Sequence, residues 1–174
     1  AVVGKLGDTH QEPALFIGGV TGVLHRKRVP IAGEHGLDPV DCLTAELVKT
    51  MENAYRDVQI AFANEMALLC EDLGADVWEV RQLVNKSPGR HMLLPGAGVG
   101  GHCIPKDPWL LIANASEDFV PRLIPAARAV NDGMPHHVVE LTAEALAEAG
   151  VDIKDAKVAV LGYAYLENSD DTRN

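Results

Sequence analysis

Long apolar runs, a secretory signal and an excess of basic residues are all missing from this sequence. No stretch approaches the ~18 apolar residues of a membrane-spanning helix, so we expect no membrane partner. Lysine and arginine number 15 against 25 aspartates and glutamates, a formal net charge of -10. This balance argues against nucleic acid as the main partner, because phosphate backbones bind cationic surfaces. A small anionic ligand remains compatible, since a local basic site can bind one inside an acidic protein.

Cysteine is scarce as well, with only Cys42, Cys70 and Cys103. Three widely spaced cysteines are no disulfide framework, and we expect a reducing, cytoplasmic environment. Cys70 continues a helical apolar pattern and is predicted to be a small core residue, whereas Cys42 precedes a predicted helix start. No C-x-x-C or H-x-x-x-H spacing is present, so we predict no metal site. Only Cys103 has neighbours that suggest chemistry.

The first 40 residues contain no G-x-G-x-x-G fingerprint of a dinucleotide-binding turn. Short apolar pieces at Ala1–Gly4 and Phe16–Val20 are typical of brief strands, without a sustained period. We interpret residues 1–40 as a remnant or junction of a larger domain, or as joined fragments.

A helix of about thirty residues is predicted from Thr44, a good N-cap, to the position before Gly74, which is expected to end it. This length is well above the usual ~11–12 residues and is typical of a domain's spine or of a dimer seam. Apolar residues recur at three- and four-residue steps throughout the segment. They are Leu47, Met51, Ala54, Val58, Ala61, Phe62, Met66, Leu69 and Leu73.

Further helices are predicted on both sides of a long loop over residues 85–106. Asp76 is expected to cap a short helix that ends at Leu83 or Val84. A second short helix should run from Pro108 to about Ala115. Loops of this length inside compact domains are usually functional.

The carboxy-terminal part begins with another long helix, predicted from about Pro121 to near Gly150. Gly133 and Pro135 are expected to kink or interrupt it. The period then changes, and Val158–Gly162 is typical of a buried strand that enters a glycine turn.

The long loop carries a cysteine in the glycine-rich sequence Gly98-Val99-Gly100-Gly101-His102-Cys103-Ile104-Pro105-Lys106-Asp107. Glycines let the backbone approach a ligand closely, so the pattern predicts a nucleophile presented to a substrate. A small residue in a tight turn is the alternative for Cys103, and a papain-like Cys–His hydrolase is another. Asp107 before Pro108 is also a good helix N-cap.

Three segments together resemble the nucleotide-sugar 6-dehydrogenases, the UDP-glucose/GDP-mannose dehydrogenase family. They are Thr44–Lys49 continuing through Asn53 to Asn64-Glu65, the glycine loop with Cys103, and Val158–Gly162 followed by Asp170–Arg173. His102, Ile104-Pro105 and the stretch Met51–Asp57 are more similar to the UDP-N-acetylmannosamine dehydrogenases. Leu166 and Glu167 stand where UDP-glucose enzymes carry lysines, which also disfavours UDP-glucose.

The resemblance implies a mainly α fold, the long-helix dimerisation domain of the 6-phosphogluconate dehydrogenase C-terminal-like type, with fragments of flanking α/β Rossmann-like domains. Residues 1–40 would be the remnant or junction of the NAD-binding domain. Residues 41–152 would form the central helical domain, and residues 153–174 would start the UDP-sugar-binding domain. A homodimer would form through the helix over residues 44–73.

The implied reaction is an NAD-dependent four-electron oxidation of the C6 hydroxyl of a UDP-sugar, through a thiohemiacetal and a thioester on Cys103. Lys49 and Asn53 would polarise the oxygen at C6 and hold water. Asp107 would position water or tune the lysine.

The resemblance also implies substrate contacts from Leu94, Gly98, Gly100, Gly101 and His102. Arg90 would reach the partner subunit's substrate, although a plain surface arginine is the alternative. Arg173 would lie near the cofactor or a domain junction. NAD would be bound mainly by a domain outside this chain, so we expect the 174 residues alone to be inactive.

Two other readings remain open at this point. One keeps the enzyme and changes the substrate to UDP-glucose or GDP-mannose. The other, from a different class, is a non-catalytic dimerisation module that kept the helical scaffold; the intact set of Cys103, Lys49, Asn53 and Asp107 weighs against it.

Overall fold

A computed structural model of the protein describes most of the chain from residue 28 onward. The described residues are 28–33, 36–162, 164, 168, 170 and 172. The predicted strands at Ala1–Gly4 and Phe16–Val20 lie outside them, as do Leu166, Glu167 and Arg173. The chain divides into two compact units, residues 1–48 and residues 49–174.

The predicted mainly α fold is confirmed, because four helices make up most of the described chain. A two-stranded antiparallel hairpin precedes them, with Arg28 opposite Asp41 and Gly33 opposite Gly36. The elements are β1 (Arg28–Gly33), β2 (Gly36–Asp41), α1 (Cys42–Leu73), α2 (Val77–Val84), α3 (Asp107–Ala113) and α4 (Leu123–Glu148).

The N-cap of α1 is Asp41, so the prediction that Thr44 caps this helix was wrong. The backbone N–H of Thr44 donates to Asp41 Oδ1 at 3.0 Å, and its hydroxyl donates to Asp41 Oδ2 at 3.0 Å. An aspartate accepts the third N–H of a helix as well as a threonine does, and it stands three residues earlier. Cys42 is therefore the first helical residue. Gly74, with φ +69°, ends the helix as predicted.

The two opposite faces of α1 differ in side-chain size and in burial. Its buried face consists of small or polar residues: Ala54, Asp57, Ala61, Ala63, Asn64, Ala67 and Cys70. The prediction of Cys70 as a core residue is confirmed. The large apolar residues lie on the other face, where Phe62 is 52% exposed and four more side chains are exposed with it. That exposed stripe is Met51, Tyr55, Phe62, Leu69 and Leu73, at helical spacing.

The buried face of α1 is joined to α4 by side-chain hydrogen bonds. Arg128 Nη1 donates to Asp57 Oδ1 at 2.6 Å, and both side chains are buried. Asn131 Nδ2 donates to Asp57 Oδ1 at 2.8 Å, and Asn64 Nδ2 donates to Asn131 Oδ1 at 2.9 Å. We call Asp57, Asn64, Arg128 and Asn131 the polar core. Burial raises the pKa of the Asp57 carboxyl, and the positive charge of Arg128 opposes that shift.

Helix α4 is continuous, so of the kink or interruption predicted at Gly133 and Pro135 the interruption was wrong, while the kink stays a prediction. It runs without a break from Leu123 to Glu148 with Pro135 inside it. Proline has no N–H to donate to the carbonyl of Asn131, four residues earlier. The bonds of Arg128 and Asn131 to α1 keep this part of the helix in place in spite of that loss. Gly150, with φ +73°, follows its end.

The short helices α2 and α3 are confirmed close to their predicted bounds. Asp76 caps α2, because its side chain accepts the N–H of Trp78 at 2.8 Å. Helix α3 ends at Ala113, two residues before the predicted end. Between them, residues 85–106 contain turns but neither helix nor strand, as predicted.

The predicted buried strand over Val158–Gly162 is absent from this structure. These residues form no strand, and Val160 and Leu161 are 83% and 95% exposed. A strand depends on neighbouring strands for its backbone hydrogen bonds, and no described strand lies beside this segment. Among the described residues, no helix is both long and apolar enough to cross a membrane.

The polar core should dominate the stability of the helical unit. Asp57→Ala removes the buried partner of the Arg128 guanidinium and leaves it only the exposed Asp132, so we expect the free energy of unfolding to fall by about 3–5 kcal/mol in urea titrations. The matched control is Glu52→Ala, which breaks only the exposed pair between Lys49 Nζ and Glu52 Oε2. It should change stability by no more than about 1 kcal/mol. Equal effects of the two variants would contradict the assigned role of the buried pair.

Candidate active site

Cys103 lies in the turn that leads directly into α3, and its side chain is exposed. Its carbonyl accepts the N–H of Lys106 at 3.1 Å and the N–H of Asp107 at 2.8 Å. The backbone of Cys103 is thus fixed to the first residue of the helix, while its thiol is open to solvent. This arrangement suits a nucleophile that must meet an incoming ligand.

Asp107 is bonded to α1 across 54 residues of sequence. Asn53 Nδ2 donates to Asp107 Oδ2 at 2.6 Å, and Asp107 is buried. Asp107 does not cap α3, although its sequence context allowed that alternative. Lys106 is at the N-cap position and makes no side-chain capping bond, and Asp107 is the first helical residue. Its side chain contacts Asn53 instead. The structure therefore brings together Asn53, Cys103 and Asp107.

Lys49 is on the same face of α1, one turn before Asn53. Its ammonium is not bonded to the other three site residues. It pairs with Glu52 Oε2 at 3.3 Å, and the two side chains are 66% and 69% exposed. Exposed pairs of this kind contribute only ~0–1 kcal/mol, so a ligand can replace Glu52 at small cost.

The glycine loop contacts the helices at two points before it reaches Cys103. The N–H of Gly96 donates to Asn64 Oδ1 at 2.8 Å. Gly98 has φ +107°, and a Cβ built on it would lie 2.7 Å from the backbone oxygen of Asn131. Only glycine fits this approach without moving the loop. Gly101, with φ +89°, is buried.

The amino-terminal end of the loop is held by α2. Arg81 Nε donates to the carbonyls of Met92 and Leu93, both at 3.0 Å. The side-chain amide of Asn85 donates to the carbonyl of Met92 and accepts its N–H. Side chains at the end of α2 and directly after it thereby satisfy three backbone groups of this loop, on Met92 and Leu93.

A cavity of about 420 Å³ lies between this loop end and α1. Arg56, Arg81 and His91 contribute its polar and cationic side, and Leu93 and Leu94 contribute apolar contacts. Arg56 lies one turn after Asn53 on α1, so the cavity begins next to the site residues. Guanidinium groups suit bidentate binding of phosphate or carboxylate.

The remaining predicted substrate contacts are mostly exposed. Leu94 lines the cavity, and His102 is exposed beside Cys103. Gly100 is half-buried. Arg90 is exposed and its Nη1 donates to the carbonyl of Pro88 at 3.2 Å, so no contact within the chain tests its predicted role. The prediction for Arg173 lies outside the described residues.

Sequence reasoning missed the residues that support the loop. Asn64 and Arg56 stand in segments that carried the family resemblance, yet only the fold shows that they contact the loop or its cavity. Arg81 of α2 and Asn85 directly after that helix are four residues apart, which is a weak signal. In the described part of the chain, no group of three or more His, Cys, Asp or Glu side chains is placed to hold a metal.

Comparison with known proteins gives consistent results. Residues 43–133 match the model of the central domain of the UDP-glucose/GDP-mannose dehydrogenase family. The chain is 52% identical to a UDP-N-acetyl-D-mannosamine dehydrogenase of Pyrococcus horikoshii, over 75% of this chain and 31% of that protein. It is 44% identical to an NDP-N-acetyl-D-galactosaminuronic acid dehydrogenase of Ralstonia solanacearum, over 76% of this chain and 30% of that protein.

A solved structure agrees with these sequence matches. The Pyrococcus horikoshii UDP-D-ManNAc dehydrogenase structure is similar with a TM-score of 0.72 at 50% identity, covering 78% of this chain and 32% of that one. The chain therefore spans about a third of the length of the relatives it matches.

The hydrogen bond between Asn53 and Asp107 should make a measurable contribution to the free energy of unfolding. Asn53→Ala leaves a buried carboxylate without its donor, so we expect a loss of about 1–3 kcal/mol in urea unfolding. Gln59→Ala on the same helix is the control, because it removes only an exposed bond to Tyr55. That variant should stay within about 0.5 kcal/mol of wild type. A loss for Asn53→Ala no larger than for the control would contradict the observed contact.

Proposed function

This chain belongs to the UDP-glucose/GDP-mannose dehydrogenase family, as its resemblance indicated, and we propose that it forms the catalytic central part of a UDP-N-acetyl-D-mannosamine 6-dehydrogenase. One observation carries the proposal: an exposed cysteine is fixed by its backbone to Asp107, whose carboxylate is bonded to Asn53 of α1. That grouping unites three residues which the resemblance assigns to the chemistry.

The proposed reaction converts the C6 hydroxyl of the sugar to a carboxylate, and NAD would accept a hydride in each of its two oxidations. No described residues form the strand–glycine–helix turn that holds a dinucleotide. The described residues therefore do not fit NAD as its main binding site, and only the chemistry of this chain's own residues is derived below.

Cys103 would supply the covalent chemistry at the aldehyde stage. Its sulfur adds to the carbonyl carbon, and the aldehyde oxygen becomes the hydroxyl of a thiohemiacetal. After oxidation to the thioester, water attacks the acyl carbon, the C–S bond breaks, and the uronate and the thiol are released. Sulfur suits both stages because it is strongly nucleophilic and also a good leaving group.

Asn53 and Asp107 would prepare the hydrolysis. With its amide nitrogen donating to Asp107, Asn53 would use its side-chain oxygen to accept a hydrogen bond from the attacking water and so orient it. Lys49 would leave Glu52 and stabilise the developing charge on the oxygen at C6, as a positively charged group does in an oxyanion site. The exposure of its present ion pair supports this exchange.

The cationic cavity supports a nucleotide sugar as the substrate class. Arg56, Arg81 and His91 place positive or protonatable groups beside the glycine loop of an otherwise acidic chain. The names of the relatives support an N-acetylated sugar, because those relatives are UDP-N-acetyl-D-mannosamine and NDP-N-acetyl-D-galactosaminuronic acid dehydrogenases. Assays with UDP-N-acetyl-D-mannosamine, UDP-glucose and GDP-mannose would separate the substrate alternatives.

A homodimer through α1 is part of the proposal. The exposed stripe of Met51, Tyr55, Phe62, Leu69 and Leu73 is an apolar surface on a 32-residue helix. Exposed apolar surfaces of this kind mark interaction sites. The opposite face of the helix is already occupied by the polar core and the site, so the stripe is the face that remains for a second copy.

Cys103→Ser in the protein at its natural length should abolish formation of the uronate. A serine ester would hydrolyse far less readily than a thioester, and a serine hydroxyl is a weak nucleophile without an adjacent base. We expect at least about a thousandfold lower turnover, measured as NADH formation and uronate release. Cys42→Ser is the control and should keep wild-type turnover. Retained turnover in Cys103→Ser would remove this residue from the mechanism. If the wild-type protein turned over none of the three nucleotide sugars, the non-catalytic dimerisation module would be favoured.

Phe62→Glu should convert the dimer to a monomer, because it places a charge in the centre of the apolar stripe. Sedimentation equilibrium of the protein at its natural length measures the change. Trp78→Glu on α2 is a closely matched control, since Trp78 is also 52% exposed but lies outside the stripe. Dimers that persist in Phe62→Glu, or that are lost equally in Trp78→Glu, would contradict the stripe as the interface.

A further inference from the structure

The glycine loop poses a positioning problem for a catalytic cysteine. Residues 85–106 have no helix or strand of their own, so no regular structure within the loop fixes the six residues between Gly96 and Cys103. Reacting groups that are displaced by about 1 Å lose much of their rate. Contacts from the helices must therefore set the path of this segment.

Asn64 makes the contact that is best suited to this task. Its side chain is fully buried and uses both of its polar atoms. Oδ1 accepts the N–H of Gly96 at 2.8 Å, and Nδ2 donates to Asn131 Oδ1 at 2.9 Å. Asn131 in turn donates to Asp57. The loop backbone is thus joined through one amide to the polar core of two helices.

A second contact lies two residues further along the loop. Gly98 faces the backbone oxygen of Asn131, at a distance that leaves no room for a Cβ. Pro135 offers that oxygen no N–H from the next turn of α4, and its Cδ would lie 3.4 Å from the same Cβ. The proline that failed to interrupt α4 therefore lies where the loop meets the helix.

The two residues of α1 that hold the ends of the cysteine segment lie on one face of the helix. Asn53 and Asn64 are eleven residues apart, which is about three turns, so both lie on one face of the helix. One holds Asp107 after the cysteine, and the other holds Gly96 before it. A single rigid helix thereby sets the distance between the two attachment points of the segment that carries Cys103.

We propose that Asn64 is a positioning residue for Cys103. Through the Gly96 N–H it fixes the start of the Gly96–Cys103 segment to the α1–α4 core, while Asn53 fixes its end. The catalytic consequence rests on the proposed function, whereas the positioning itself is a property of the loop and can be measured without turnover.

Asn64→Ala in the protein at its natural length tests the proposal with two readouts. Hydrogen exchange of the amides in Gly96–Gly101 should become at least about tenfold faster, because the Gly96 N–H loses its acceptor. The kcat for the nucleotide sugar should fall about tenfold or more, because the cysteine is no longer held in one place.

Ala63→Gly is the matched control. Ala63 is the fully buried neighbour of Asn64 on the same helix and makes no side-chain hydrogen bond. This variant should lower the Tm through helix propensity and lost packing, but it should leave loop exchange and kcat unchanged. A merely structural role of Asn64 would make the two variants alike in all three measurements.

Gly98→Ala provides a second route if Asn64→Ala does not fold. Its added Cβ moves the loop away from Asn131 without altering the side chains of the polar core, so we expect faster loop exchange and lower kcat, together with a lower Tm from the strained backbone at this position. Unchanged loop exchange in both variants, or faster exchange with unchanged kcat, would overturn the proposal. Turnover retained by Cys103→Ser would instead overturn the proposed function, and it would leave the exchange result intact.

Discussion

The buried bond between Asp57 and Arg128 is the constraint on which the rest of the structure depends. A paired charge in the interior is costly to separate, so α1 and α4 have one preferred register. Asn131 and Asn64 extend the same network to the backbone of Gly96. Through this chain of bonds the helices set the start of the glycine loop, and the glycine at position 98 allows the loop to follow them. The exposed thiol of Cys103 lies at the end of that chain of contacts.

This constraint explains the unusual division of α1. Its buried face is made mostly of small and polar residues, and that composition allows Asn53, Asp57 and Asn64 to lie on one side of the helix. The large apolar residues are displaced to the opposite face, where they form an exposed stripe. In our proposals, one helix therefore supports a catalytic loop on one side and a second copy of the chain on the other. The two proposals share a single element because its two faces have different chemistry.

Features that depend on local sequence were predictable. Glycine and apolar periodicity predicted the end of α1 at Leu73, the short α2 and the long loop with Cys103. The face of α1 that packs was not predictable, since the periodic apolar set mixed residues that are buried, such as Ala54 and Ala61, with residues of the exposed stripe, such as Phe62. The contacts of Asn64 with Gly96 and of Asn53 with Asp107 join residues 32 and 54 apart, and no local pattern encodes them. The prediction of a strand at Val158–Gly162 was wrong because a strand needs neighbouring strands. The prediction of an interruption at Pro135 was wrong because tertiary hydrogen bonds hold α4 together.

The central claim is that Cys103 carries the substrate as a thioester, and intact-protein and peptide mass spectrometry of the enzyme quenched during turnover tests it most directly. With UDP-N-acetyl-D-mannosamine and NAD, an Asn53→Ala variant, in which hydrolysis is slowed, should accumulate the uronyl adduct on the peptide that contains Cys103. The adduct should disappear on treatment with hydroxylamine, as thioesters do. Formation of the uronate without any adduct on Cys103, or with the adduct on another residue, would contradict the account.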